Sequence, residues 1–330
     1  MTTTYAVLSE GLEKSFGEVR AVRGLDLAVA EGTVCGVLGL NGAGKTTAVR
    51  LLTTLLRPDA GSARVAGHDL VREAAAVRRA IGVTGQRTSV DGDLSGRQNL
   101  RLFARLHRVR GPADRVRELL DRFGLADAAD RPACTYSGGM RRRLDLAASL
   151  IRRPEVLFLD EPTAGLDPAS RNRIWEAVRS LKQEGTTVLL TTQYLEEADR
   201  LADEIVVVDR GRVAHTGTPA GLKALIGAYA EVAVAHEEAM TRAAAVLDRL
   251  TGGEPTFDHE RRAVGAVTTD RTLTLPRLVR ELDAAGVPLL DASLRAPTLD
   301  DVFLRLTADP RDAPAYGTTG HPAGGEELVT

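Results

Sequence analysis

Short apolar runs alternate with segments of helical period from residue 33 to about residue 226. Residues 33–39, 81–84, 156–159, 187–191 and 205–208 read as buried strands, and residues 44–56, 167–183 and 194–202 as helices between them. Apolar runs of this kind separated by helices mean a parallel sheet covered by helices on both faces. Ahead of it, residues 5–8, 25–29 and 62–66 alternate and turn, which predicts a small antiparallel layer. The stretch 95–151 holds no convincing strand and predicts a helical insertion, with Pro112 and Gly124 punctuating its helices.

The pattern changes near Gly227. Residues 232–234, 239–250, 255–258, 263–267, 275–282 and 289–294 follow a β-α-β-β-α-β order, which predicts a ferredoxin-like domain. Residues 299–306 add a short helix on which Leu299, Val302, Phe303 and Leu306 share one face. That face is expected to pack on its own domain's sheet; the alternatives are the preceding domain and a second copy of the chain. From Ala308 the tail is Pro, Gly, Thr and acid with almost no apolar residues, so disorder is expected. The expected organisation is therefore a domain over 4–226, an α+β domain over 228–308 and a tail over 309–330.

Composition narrows the function classes. The 330 residues carry a formal net charge of −2, without the electrostatic footprint of a nucleic-acid binder, and no nucleic-acid partner is expected. Twelve aromatic residues are too few for a platform that stacks bases or sugars. Cys35 and Cys134 make no disulfide framework and no metal cluster, and are expected to behave as small buried hydrophobes in a reducing compartment. No stretch approaches the ~18 apolar residues needed to span a bilayer, so membrane attachment is expected only through a partner.

The sharpest chemical signal is Gly39-Leu40-Asn41-Gly42-Ala43-Gly44-Lys45-Thr46, followed by Thr47. It lies directly after a buried strand and opens a helix, where glycines let backbone N–H groups curl around phosphate oxygens and the helix N-terminus adds its positive end. Lys45 would reach the β- and γ-phosphates, and the Thr46 hydroxyl would ligate Mg²⁺. A chance glycine-rich turn is the bland reading, and it is disfavoured because Lys45 is one of only four lysines. Next comes the apolar strand 156–159, ending in Asp160 and Glu161. Carboxylates at the carboxyl end of such a strand stand where open α/β sheets bind ligands. Asp160 is suited to hold Mg²⁺ through water, and Glu161 to polarise an attacking water.

Ser137-Gly138-Gly139-Met140 opens another helix and makes a second anion site, which one phosphate loop does not need. The surplus makes sense if Ser137, Gly138 and Gly139 serve a nucleotide held by another copy. Here the chain resembles the ATP-binding subunits of ABC transporters over roughly residues 4–226. The resemblance implies a P-loop ATPase cassette with a RecA-like core, an antiparallel β layer and a helical subdomain, binding ATP and Mg²⁺. It implies further that Gln86 is the Q-loop residue at the metal, that Asp167 belongs to the D-loop and that Phe16 stacks on adenine. Two positions depart from the family pattern: Met140 replaces the usual Gln, and Gln193 replaces the usual His at the γ-phosphate. An amide can donate a hydrogen bond there but carries no charge and relays no proton, so ATP binding is expected to survive while turnover weakens.

Thr84-Gly85-Gln86, residues 135–146, residues 191–199 and Thr298-Leu299-Asp300-Asp301-Val302-Phe303-Leu304 look like the daunorubicin-resistance subfamily. That likeness implies export of a hydrophobic drug-like compound by a separate permease. It also implies a peripheral position on the cytoplasmic face of the membrane and ATP held between two head-to-tail copies. A non-transport ABC ATPase and a regulatory nucleotide-binding module with weak hydrolysis remain the alternatives.

Overall fold

A computed structural model describes residues 4–307 except 87, 269 and 271, without the side chains of 225, 226 and 304–307. The elements follow in order as β1 (Tyr5–Phe16), β2 (Val19–Ala30), β3 (Val34–Leu38), α1 (Lys45–Leu52), β4 (Ala60–Val65), β5 (His68–Asp69), α2 (Ala74–Ala80) and β6 (Ile81–Thr84). Then come α3 (Gly96–Leu106), α4 (Pro112–Arg122), α5 (Gly138–Ser149), β7 (Val156–Asp160), α6 (Pro168–Gln183), β8 (Thr187–Thr192), α7 (Leu195–Leu201), β9 (Glu204–Asp209), β10 (Arg212–Gly217) and α8 (Pro219–Ile226). The remainder is β11 (Ala228–Val234), α9 (Met240–Thr251), β12 (Thr256–Asp258), β13 (Ala263–Thr268), α10 (Leu275–Ala284), β14 (Leu289–Arg295) and α11 (Leu299–Thr307).

The central sheet runs β10-β9-β3-β8-β7-β6, with β6, β7, β8, β3 and β9 parallel and β10 antiparallel at one edge. Because strand side chains alternate between faces, the apolar runs split. Leu157, Leu159, Val188 and Leu190 pack with α6 and the helical insertion. Val156, Phe158 and Leu189 pack with α1 and the antiparallel layer β2-β1-β4-β5. Each fully buried side chain of this size contributes ~2 kcal/mol, which is why a continuous apolar strand settles only between two covering layers.

Helix ends are set locally. The Ser95 hydroxyl accepts from the Gln98 amide while the Gln98 side chain accepts from Ser95 N–H, a reciprocal cap that starts α3. Pro112 occupies the first turn of α4, and Gly124 adopts the left-handed conformation just after it. The antiparallel strands run longer than their alternation predicts: β1 and β2 have 12 residues each, carried by register shifts that the period-two pattern does not show. Strand β10 escaped the sequence reading because it lies exposed on the sheet edge and lacks an apolar run.

The C-terminal sheet has the order β12-β13-β11-β14, all antiparallel, with α9 and α10 packed on it; this is the ferredoxin-like arrangement. One expectation is corrected. Leu299 and Val302 of α11 bury against Ala198, Leu222, Ile205 and Val207 of the first domain, with Val267 the contact from their own sheet. The amphipathic face therefore bridges the two domains, closing over the apolar strip that α7, α8 and β9 form. The Leu306 side chain and the tail 309–330 lie outside the described residues. Cys35 is buried, and its thiol is pushed up to about 12 by burial first and by Glu204 second. Cys134 is exposed, contrary to the expectation of two buried thiols.

Candidate active site

The loop 39–44 leaves the carboxyl end of β3 and feeds α1. Gly44 sits at φ 104°, and a Cβ there would come within 2.4 Å of the Ala21 carbonyl oxygen. Only glycine lets the loop turn this tightly against β2. Lys45 is 4 % exposed, and its Nζ donates to the carbonyls of Gly39 at 2.7 Å and Leu40 at 3.1 Å. Burial pulls the ammonium below its ordinary value, partly offset by the nearby carboxylates of Glu161 and Asp160.

The acids arrive from the neighbouring strands. The Thr191 hydroxyl at the end of β8 donates to Asp160 Oδ1 at 2.6 Å, and the Thr46 hydroxyl donates to the same oxygen at 3.2 Å. The Gln86 amide donates to Thr46 Oγ1 at 3.2 Å. Two hydroxyls, one carboxylate and one amide converge here, and the oxygens of Thr46, Asp160 and Gln86 make a hard set that fits Mg²⁺ completed by phosphate oxygens and water. Glu161 lies 4.0 Å from Lys45 Nζ with its backbone left-handed at φ 50°. Its N–H donates to the Thr191 carbonyl at 3.0 Å. These residues border an open cleft of about 620 Å³ lined by Asn41, Gly42, Gly44, Lys45, Thr46, Thr47, Gln86 and Glu161, and closed on one side by Val19 and Arg20.

The other expected residues stand outside that lining. Phe16 is paired with Val19 across the β1–β2 hairpin and is 48 % exposed, with Lys14 Nζ 5.8 Å from its ring. Leu40 is exposed, and Ala43 is buried inside the turn. Gln193 is exposed just beyond Thr192, at the same edge of the sheet.

Ser137, Gly138 and Gly139 open α5 elsewhere, where the Ser137 hydroxyl accepts from Met140 N–H at 3.2 Å. Met140 therefore contributes through its backbone whatever its side chain. A Cβ on Gly139 would lie 2.2 Å from Ser170 Oγ, so the absence of a side chain brings this loop against the start of α6. Asp167 caps that helix, accepting from Ser170 N–H at 2.9 Å, and the Ser170 hydrogen bonds hold its carboxyl below the usual range. One chain thus carries two groups: the cleft around Lys45, and the Ser137–Gly139 loop beside Asp167.

Arg142 is a residue the motifs did not single out. It lies inside the arginine run 141–143, yet it is buried beneath the Glu161 loop. Only its interior position on α5 could have signalled this.

A phosphate loop on a mostly parallel sheet, with a hydroxyl and two carboxylates facing it, defines a nucleoside triphosphatase. Residues 22–164 match the family model described as ABC transporter. The chain is 58 % identical to "Daunorubicin resistance ATP-binding protein DrrA3" of Streptomyces coeruleorubidus, over 93 % of this chain and 97 % of that protein. It is 44 % identical to "Doxorubicin resistance ATP-binding protein DrrA" of Mycobacterium tuberculosis (strain ATCC 25618 / H37Rv), over 96 % and 97 %. With "Nod factor export ATP-binding protein I" of Ralstonia nicotianae it shares 40 % identity over 90 % and 92 %. Among solved structures, the ATP-binding subunit of an ABC transporter aligns with TM-score 0.61 at 26 % identity, covering 67 % of this chain and 92 % of that one. An ABC cassette in its ADP conformation aligns with TM-score 0.59 at 25 % identity, covering 66 % and 92 %. The chain belongs to the ATP-binding subunits of ABC transporters, in the family of the daunorubicin-resistance ATP-binding proteins.

Proposed function

We propose that the protein hydrolyses Mg-ATP to drive export of a hydrophobic, drug-like compound through a separate permease. The observation that carries the reading is the convergence of Thr46 Oγ1, Thr191 Oγ1 and Asp160 Oδ1 beside Lys45 and Glu161 at the carboxyl edge of the sheet. The names of the relatives, daunorubicin and doxorubicin resistance, supply the cargo class.

In this reading backbone N–H groups of the loop 39–44 and Lys45 bind the phosphates, with Thr47 extending the cradle and Phe16 meeting the base. Thr46, Asp160 and Gln86 hold Mg²⁺, which supplies charge neutralisation across the phosphates. Glu161 orients and polarises the attacking water. Gln193 donates a hydrogen bond to the γ-phosphate, and Ser137, Gly138, Gly139 and Asp167 complete the site of a second copy placed head to tail.

Among the described residues no helix is long and apolar enough to cross a membrane, so export requires a partner that spans it. A groove between β6 and the helical insertion suits a cytoplasmic segment of that permease. Ile81, Val83, Phe103 and Ile151 line it, with Arg78 and Arg152 present for acidic side chains. The protein then works at the cytoplasmic face of the membrane, held there by the permease.

The test uses inverted vesicles carrying the chain and its permease. Mg-ATP should drive daunorubicin uptake, and Lys45→Ala should remove uptake and lower ATP affinity about tenfold or more, the loss of a charged hydrogen-bond donor to phosphate. Equal ATP affinity in parent and variant would overturn the assignment.

A further inference from the structure

Arg142 lies on α5, about one turn beyond the Ser137–Gly139 loop, and is only 6 % exposed. Its Nε donates to the Pro162 carbonyl at 2.9 Å, its Nη1 to the Gly85 carbonyl at 2.5 Å, and its Nη2 to the carbonyls of Asp160 and Glu161, both at 3.1 Å. Its Nη1 also faces Asp145 Oδ2 at 3.6 Å, an ion pair too long to be a hydrogen bond. One planar fork thereby joins three segments: the helix of the Ser-Gly-Gly loop, the residue before Gln86 and the peptides on both sides of Glu161.

Glu161 needs such a hold. Its left-handed backbone costs ~1 kcal/mol for a residue with a Cβ and persists only where surroundings over-determine it. Thr191 fixes it from the N–H side, and Arg142 fixes it from the carbonyl side. Asp145 in turn aims the guanidinium, because its Oδ1 accepts from Ser89 N–H at 2.8 Å and anchors the segment that follows Gln86. An ammonium at position 142 would present its donors from one point and could not span these carbonyls.

We propose that Arg142 is a positioning residue for ATP hydrolysis. It sets the Glu161 and Gln86 side chains in register on the γ-phosphate and mechanically joins them to the loop that serves the other copy. The inference rests on the catalytic reading of Glu161.

The experiment measures single-turnover Mg-ATP hydrolysis and nucleotide affinity of the full chain. Arg142→Lys should slow hydrolysis about tenfold or more while ATP affinity stays within about threefold. Asp145→Asn, which keeps the acceptor for Ser89 but loses the charge facing Arg142, should slow it about threefold by the same displacement. Folded Arg142→Lys hydrolysing at the parental rate overturns the proposal, as does a parallel loss of affinity and rate, which would mark a structural role only. If Arg142→Lys does not fold, Asp145→Asn decides by the same criteria. Glu161→Gln, run alongside, separates the two readings: continued hydrolysis there removes the catalytic assignment of Glu161 whatever the Arg142 variants do.

Discussion

Glu197 shows how much chemistry sits one layer beneath the cleft. It is fully buried at the start of α7, four residues past Gln193, and accepts the indole N–H of Trp175 at 2.9 Å. Its second oxygen has no partner, and neither does the nearby Thr163 hydroxyl. Burial, the largest influence, raises its carboxyl above the ordinary value, and the indole hydrogen bond from Trp175 offsets this only in part. The sign follows from linkage: an acid raised in the folded state supports folding while protonated and works against it as pH rises through its folded pKa. Glu197→Gln keeps an acceptor for Trp175 and removes the group that can ionise. It should therefore raise the melting temperature at pH 8, with the gain shrinking as pH falls towards the ordinary carboxylate range. A calorimetric pH series checks it; a pH-independent difference would show that charge is not the cause. Trp175, the sole tryptophan, lies against this carboxyl and gives its fluorescence as a local readout.

At the scale of elements, the sequence was most legible where one physical demand dominates. Strands β3, β7 and β8 had to be continuous apolar runs because both faces are covered, and the phosphate loop had to follow β3 directly. The edge strand β10 and the bulged length of β1 depend on pairing partners far along the chain, which periodicity does not reveal. Helix α11 was read correctly as amphipathic, but an amphipathic face says only that something covers it. Here α7, α8 and β9 cover it, through Leu222, Ala198 and Ile205. Val302→Ala should therefore lower the unfolding free energy by ~1–3 kcal/mol, the transfer and cavity cost of a buried aliphatic side chain. Denaturant titration measures this, and an unchanged midpoint would show that α11 does not pack there. Arg142 is the complementary case: no motif marks it, and the placement of Gly85, Asp160, Glu161 and Pro162 around it gives it partners.

At the scale of the whole molecule, the Lys45 cleft and the Ser137–Gly139 loop sit at different places on one chain, and in the proposed arrangement a head-to-tail pair would unite them twice. Gly138 offers a direct test, because a Cβ built on it meets nothing within 4 Å and the residue is exposed. Gly138→Asp should therefore fold like the parent while setting a carboxylate where the other copy's γ-phosphate would lie. In a Glu161→Gln background, which on the proposed role of Glu161 should hold ATP unhydrolysed, the protein should sediment as a dimer with Mg-ATP and as a monomer without it. Adding Gly138→Asp should keep ATP affinity, because the Lys45 cleft is untouched, yet abolish the nucleotide-dependent dimer through like-charge repulsion against the phosphate. A dimer that survives Gly138→Asp would mean that the Ser137–Gly139 loop faces something other than the partner's nucleotide. The head-to-tail arrangement would then have to be abandoned, while the assignment of the Lys45 cleft would stand.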